Sequence, residues 1–152
     1  MNFFRRVVRR TRQGRYQINL GADERSMLRA LPADLQERLT DPDDPGLRRL
    51  FPPAYGEDEQ RAAEYRRLMQ DDLVSRHREA LDVLERTADA NELSEEEMLA
   101  WLNALNQLRL VLGTRLDVSE DDDLSARAQS PEEAVYLFLG ALQEVVVDAL
   151  SA

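Results

Sequence analysis

Cysteine is missing from this 152-residue sequence, and so is lysine. Without a thiol there is no disulfide framework, no thiolate nucleophile, no zinc–thiolate site and no direct thiol sensing of oxidants. The lack also fits a reducing compartment. All 20 basic residues are arginine, a bias that fits a GC-rich codon supply and is not evidence of phosphate recognition. Histidine occurs once, at His77, so neither HExxH nor any other paired metal-ligand spacing exists. Seven serines share that histidine, and none lies in a GxSxG motif. The six glycines form no phosphate-cradling loop. Among 30 acidic residues, carboxylate pairs at helical spacing carry no specificity. Glu120 to Asp123 are consecutive acids with no bend glycine after them, which reads as a solvated acidic loop rather than a calcium site. The expectation is a non-enzyme with no catalytic residues, no metal and no cofactor.

Long apolar runs are also scarce. No stretch approaches the roughly 20 apolar residues that span a bilayer. The N-terminal arginines are not followed by the apolar segment of a secretory signal. A cytoplasmic location without a membrane partner is expected.

What is present is charge, unevenly placed. The net charge is −10, but residues 1–15 hold Arg5, Arg6, Arg9, Arg10, Arg12 and Arg15 with no acid, leaving −16 on the other 137 residues. That body repels phosphate backbones, so nucleic acid would have to be met through the arginine arm. Residues 22–40 lack a convincing helix-turn-helix, because Asp34 and Glu37 sit where a recognition helix would carry cations. The arginines equally suit a solvated or partner-binding strand edge protected from aggregation.

A chain of this length gives a prior of one domain, residues 1–152, large enough to bury a core without staples. Residues 1–20 read as a basic β-hairpin arm. Tyr16, Ile18 and Leu20 alternate with polar residues, and Gln13-Gly14 supplies the turn. The first arm, with Phe3, Phe4, Val7 and Val8, also suits an amphipathic helix, but the β-branched pair favours a strand. Residues 21–152 read as a helical bundle. A helix opens near Ala22 and is interrupted or restarted at Pro32. The DPDDPG sequence, Asp41 to Gly46, is a turn, and LRRLFPPAY, Leu47 to Tyr55, an apolar connector. Asp58 to about Ala88 is one long helix with Tyr65, Leu68, Met69, Leu73, Leu81 and Leu84 on its buried side and His77 at the packed edge. Ser94 with Glu97 is a capping box that opens a helix running to about Gly113. Asp117 to Gln129 is an acidic loop, and Ser130-Pro131 with Glu133 starts the last helix. The fold class is mainly α: a bundle of about five helices with a short N-terminal β-hairpin.

The Trp101–Val118 segment holds the candidate site. One stripe runs through Met98, Trp101, Leu105, Leu108 and Leu112, a second through Leu99, Asn103, Asn106, Leu110 and Gly113. Two stripes imply a helix covered on most sides. Arg109 at the edge needs a partner if buried, with Glu133, Glu144 or a carboxylate of the long helix as candidates. Asn103, Asn106 and Arg109 read either as a patch for a partner or ligand, or as an internal network that sets helix register. The second is the simpler reading.

Three segments together resemble an actinobacterial family of oxidative-stress transcription regulators, AosR-like, formerly a domain of unknown function. They are the arginine-rich hairpin and helix from Phe4 to Leu31, DDPGLRRLFPPAY, and WLNALNQLRLVLGTRLDV followed by Tyr136, Leu139-Gly140 and Gln143-Glu144. The resemblance implies a non-enzymatic regulator of transcription that works with a sigma factor or RNA polymerase, with Clp proteolysis as a second link. Any thiol switch proposed for such proteins cannot operate in a chain without cysteine. The family defines no site residues that transfer to this chain. On the chain's own residues, a groove shaped by the connector and the Trp101–Leu116 helix is the expected docking site. Its candidate partner-binding residues are Phe51, Tyr55, Trp101, Asn103, Asn106 and Arg109. The nucleic-acid alternative uses Arg5, Arg6, Arg9, Arg10, Arg12 and Arg15. Both a monomer and a homodimer are compatible with the pattern.

Overall fold

The computed structural model describes residues 7–40, 47, 50, 59–116 and 130–152, with the side chains at 59–63, 65, 66 and 70 outside that description. Arg5, Arg6, Phe51, Tyr55, the Asp41–Gly46 turn and the acidic 117–129 segment lie outside the described residues. The elements in chain order are β1 (Val8–Arg10), β2 (Tyr16–Ile18), α1 (Ala22–Arg38), α2 (Glu59–Thr87), β3 (Glu92–Leu93), α3 (Glu95–Arg115) and α4 (Pro131–Ser151).

The hairpin forms where its turn chemistry places it. Gly14 adopts φ +78, a left-handed conformation that would strain an L side chain. Thr11 closes the turn, its N–H donating to the Arg15 carbonyl while its hydroxyl accepts the Arg15 N–H. β1 and β2 pair antiparallel with Val8 opposite Ile18 and Arg10 opposite Tyr16. The expected hairpin is a three-stranded sheet of order β1-β2-β3, because Tyr16 and Gln17 also pair with Leu93 and Glu92. Two residues of strand are too few to show an alternation.

Four helices are described, where the sequence suggested about five. The difference lies at Pro32, which sits inside an unbroken α1. Proline removes one helical N–H, but Leu28, Pro32 and Leu35 are all buried on one face, and that packing holds both halves in line. At the other ends the local signals are met. Ser94 and Glu97 form a reciprocal capping box on α3. Ser130 Oγ accepts the Glu133 N–H at the start of α4, with Pro131 in the first turn.

α3 is the central helix, packed most extensively on α4 and α2 and also touching α1 and β3. Its Met98, Trp101, Leu105 and Leu108 are buried with Leu81 and Leu84 of α2, Leu139, Leu142 and Val146 of α4, and Tyr16 and Ile18 of the sheet. On α2 the expected apolar side is only partly inside. Leu81 and Leu84 are fully buried, whereas Leu68 is 72% exposed and Met69 is also exposed. α4 is long and apolar enough to cross a membrane by length and composition, contrary to the expectation that no segment would be. Its Leu139, Leu142, Val146 and Ala149 are nevertheless packed in the core.

One residue ties the sheet to the helices. Arg25 of α1 donates to the carbonyls of Leu20, Ile18, Ala88 and Ala90, and to Asn91 Oδ1, at 2.8–3.3 Å. It joins the end of β2 to the α2–β3 turn without any carboxylate. These are acceptors of the folded backbone, so nothing in residue spacing announces them.

Candidate interaction face

The second stripe of α3 is open at its N-terminal end and covered beyond it, where Leu110 is half-buried against the core and Gly113 is buried. Leu99 is 52% exposed, and Asn103 and Asn106 are exposed in line with it. Spacings of four and three place these residues on one helical face. The expected covering on most sides therefore gives way along this outer line, while Ala104, Gln107, Val111 and Gly113 are buried with the leucine face.

Each asparagine is held from one side. Gln107 is 1% exposed and donates Nε2 to Asn103 Oδ1 at 3.1 Å, while its own Oε1 finds no donor among the described residues. Asn106 Oδ1 accepts from Gln143 Nε2 of α4 at 3.3 Å. Gln143 Oε1 in turn accepts from Arg109 Nη1 at 3.5 Å, and the guanidinium carbon lies 5.5 Å from the centre of the Tyr136 ring. Among the described residues the half-buried Arg109 thus meets an amide and an aromatic face, not Glu133, Glu144 or a carboxylate of α2. Glu144 is exposed, and it is turned about 100° round the helix from Gln143. Arg109 lies over Gly140, where a Cβ would stand in close contact, 3.4 Å from Arg109 Nε.

Trp101 is placed differently from the other candidates. It is fully buried, and its indole N–H donates to Thr87 Oγ1 at 2.7 Å. It supports the face from beneath and cannot touch a partner. Gln107, Tyr136 and Gln143 belong to the arrangement but were not singled out as site residues. Gln143 and Tyr136 lie three to four residues either side of Gly140, a small-residue gap in an apolar helix that was the available signal.

Beside Asn103, α2 and α3 enclose an open groove of about 670 Å³, with Val83, Leu99 and Ala100 on its apolar part and Arg76, Glu79, Arg86 and Glu96 around it. The void between α1, α3 and α4 at Leu31, Leu35, Leu108 and Leu139 is only about 40 Å³, little more than a water's space. His77 is half-buried. Its pKa is lowered by burial, an effect opposed by a hydrogen bond to the Leu50 backbone. Among the described residues no group of three His, Asp or Glu could hold a metal.

The arginine arm is partly committed. Arg15 Nε donates to Glu92 Oε1 at 2.5 Å, and Arg10 Nη1 donates to the Ala152 carbonyl at 2.6 Å. The last turn of α4 has no basic residue, so Arg10 supplies the cation its dipole favours. Arg9 and Arg12 remain exposed.

Comparison with known proteins agrees with the resemblance read from the segments. The family described as a domain of unknown function, DUF2017, matches residues 1–150. A Mycobacterium leprae protein named putative oxidative stress regulator AosR is 32% identical, covering 86% of this chain and 68% of its own length. The oxidative stress regulators AosR of Mycobacterium bovis and Mycobacterium tuberculosis are each 30% identical, covering 93% of this chain and 87% of their own. No solved structure matches the chain. The chain belongs to the DUF2017 family, an AosR-like actinobacterial family.

Proposed function

We propose that this protein is a non-catalytic regulator of the transcriptional response to oxidative stress, acting by docking on a sigma factor or RNA polymerase through the outer face of α3. The observation that carries this reading is the open line Leu99–Asn103–Asn106 on the most central helix, beside an open groove. An exposed leucine flanked by amides offers apolar area and hydrogen bonds together, as a docking helix requires. The names of the mycobacterial relatives support the regulatory role. With no cysteine, the chain does not sense oxidant through a thiol of its own.

Binding of the purified protein to native RNA polymerase, with and without sigma factors, tests the reading. Leu99→Asp is expected to abolish nuclease-resistant binding while leaving the melting temperature within a few degrees of the parent, because Leu99 is already 52% exposed. Full binding by a folded Leu99→Asp protein would overturn it. The second reading, nucleic-acid binding by the arm, rests on exposed Arg9 and Arg12. It requires binding that falls steeply with salt and disappears when Arg5, Arg6, Arg9 and Arg10 are replaced.

A further inference from the structure

We infer that the seam between α3 and α4 receives an acidic side chain from the protein partner, with Arg109 as its anchor. The inference rests on the reading that α3 presents the docking face, and it names the chemistry of what docks. The Arg109 guanidinium carries five N–H donors. The described residues give it one acceptor, Gln143 Oε1 at the long distance of 3.5 Å, and one ring, that of Tyr136. No described carboxylate pairs with it, unlike Arg15, Arg29, Arg38, Arg76 and Arg86; among the other arginines without a described acid, Arg25 is saturated by carbonyl acceptors and Arg109 is not. The side chain is half-buried, and none of its nitrogens is among the fully buried unpartnered atoms of the described residues.

The side chain is also held in place before any partner arrives. It lies along α4 at Gly140, with the guanidinium near the Tyr136 ring and Gln143 at its end. A held planar fork loses little entropy on meeting a carboxylate, and that pairing is bidentate. Asn106 accepts at Oδ1 from the same Gln143 that meets Arg109, so its amide N–H groups are not spent on that contact. A single carboxylate suits the site better than a polyanion, because the body outside the N-terminal arm carries −16.

The test is a titration of the full-length, isotope-labelled chain with a blocked leucine pentapeptide bearing a central glutamate, and with its glutamine counterpart, followed by NMR. The expected result is a saturable shift of the Arg109 Nε–Hε signal and of the Asn106 and Gln143 side-chain amides. Affinity for the glutamate peptide should be roughly tenfold higher, as one charge-assisted hydrogen bond implies. In Arg109→Gln that preference should vanish. In Arg109→Lys, which keeps the charge and the fold, it should weaken without vanishing. Equal affinity for the two peptides, binding of neither, or a glutamate preference that survives Arg109→Gln overturns the inference. The two readings fail separately: if Leu99→Asp abolishes polymerase binding while the parent shows no glutamate preference, only the Arg109 anchor falls.

Discussion

Trp101 donates its indole N–H to Thr87 Oγ1 at 2.7 Å, and the Thr87 hydroxyl donates onward to the Val83 carbonyl at 2.5 Å. The last turn of α2 is thereby joined to the buried face of α3, with Trp101 fully inside and Thr87 only 7% exposed. Thr87→Val keeps the shape and removes the acceptor. The orphaned indole N–H should cost about 1–3 kcal/mol in urea unfolding, while Thr87→Ser stays close to the parent. A Thr87→Val protein as stable as the parent would mean that the indole finds another acceptor.

Arg25 is expected to matter more to stability than any surface ion pair of this chain. Its four backbone carbonyl acceptors come from the end of β2, from the β2–α1 connection and from the α2–β3 turn. Lysine keeps the charge but cannot fork across them. Arg25→Lys should lose about 2 kcal/mol or more, from several charge-assisted hydrogen bonds. Breaking the exposed Arg76–Asp72 pair should cost less than about 1 kcal/mol. Equal losses in parallel unfolding curves would contradict the assignment.

Gln107 points to a change that stabilises. It is buried, and its Oε1 has no donor among the described residues. Gln107→Met keeps the length and removes the orphaned carbonyl, so unfolding free energy should rise, by on the order of 1 kcal/mol. A clear loss would show that Gln107 is satisfied in solution and holds Asn103 in register.

His77 gives the fold a sensitivity to acid. Burial lowers its folded-state pKa below 6.5, so the unfolded chain binds the proton more readily. Stability from this group is fully present above the unfolded value of about 6.5 and is lost as pH falls through the folded pKa. The melting temperature of the parent should therefore drop further between pH 7.5 and pH 5.5 than that of His77→Gln. Identical drops would assign the acid sensitivity to carboxylates alone.

Much of the fold was legible because its signals are local. Gly14 in a turn, Ser94 with Glu97 three residues on, and Ser130-Pro131 each act within one turn of backbone, and each is where the residues indicate. The α2 helix was legible too, but its inner face was misread at Leu68 and Met69. Helical spacing says which residues share a face, not how far along the helix a neighbour extends. The second stripe of α3 is covered at Leu110 and Gly113 but open at Leu99, Asn103 and Asn106, a difference that amphipathic spacing cannot express.

The sequence by itself determined the mainly helical class, the caps and hairpin turn, the charge imbalance and the exclusion of thiol chemistry, because each depends on residues close in the chain or on composition alone. Only the tertiary structure decided that Pro32 lies inside one helix, that Leu93 completes a sheet, that Arg25 reaches the distant carbonyls of Ala88 and Ala90 and that Arg109 meets Tyr136 and Gln143. Those outcomes depend on how helices cross and which side chains arrive within a few ångströms. That is set by packing the whole core at once, and no local spacing encodes it.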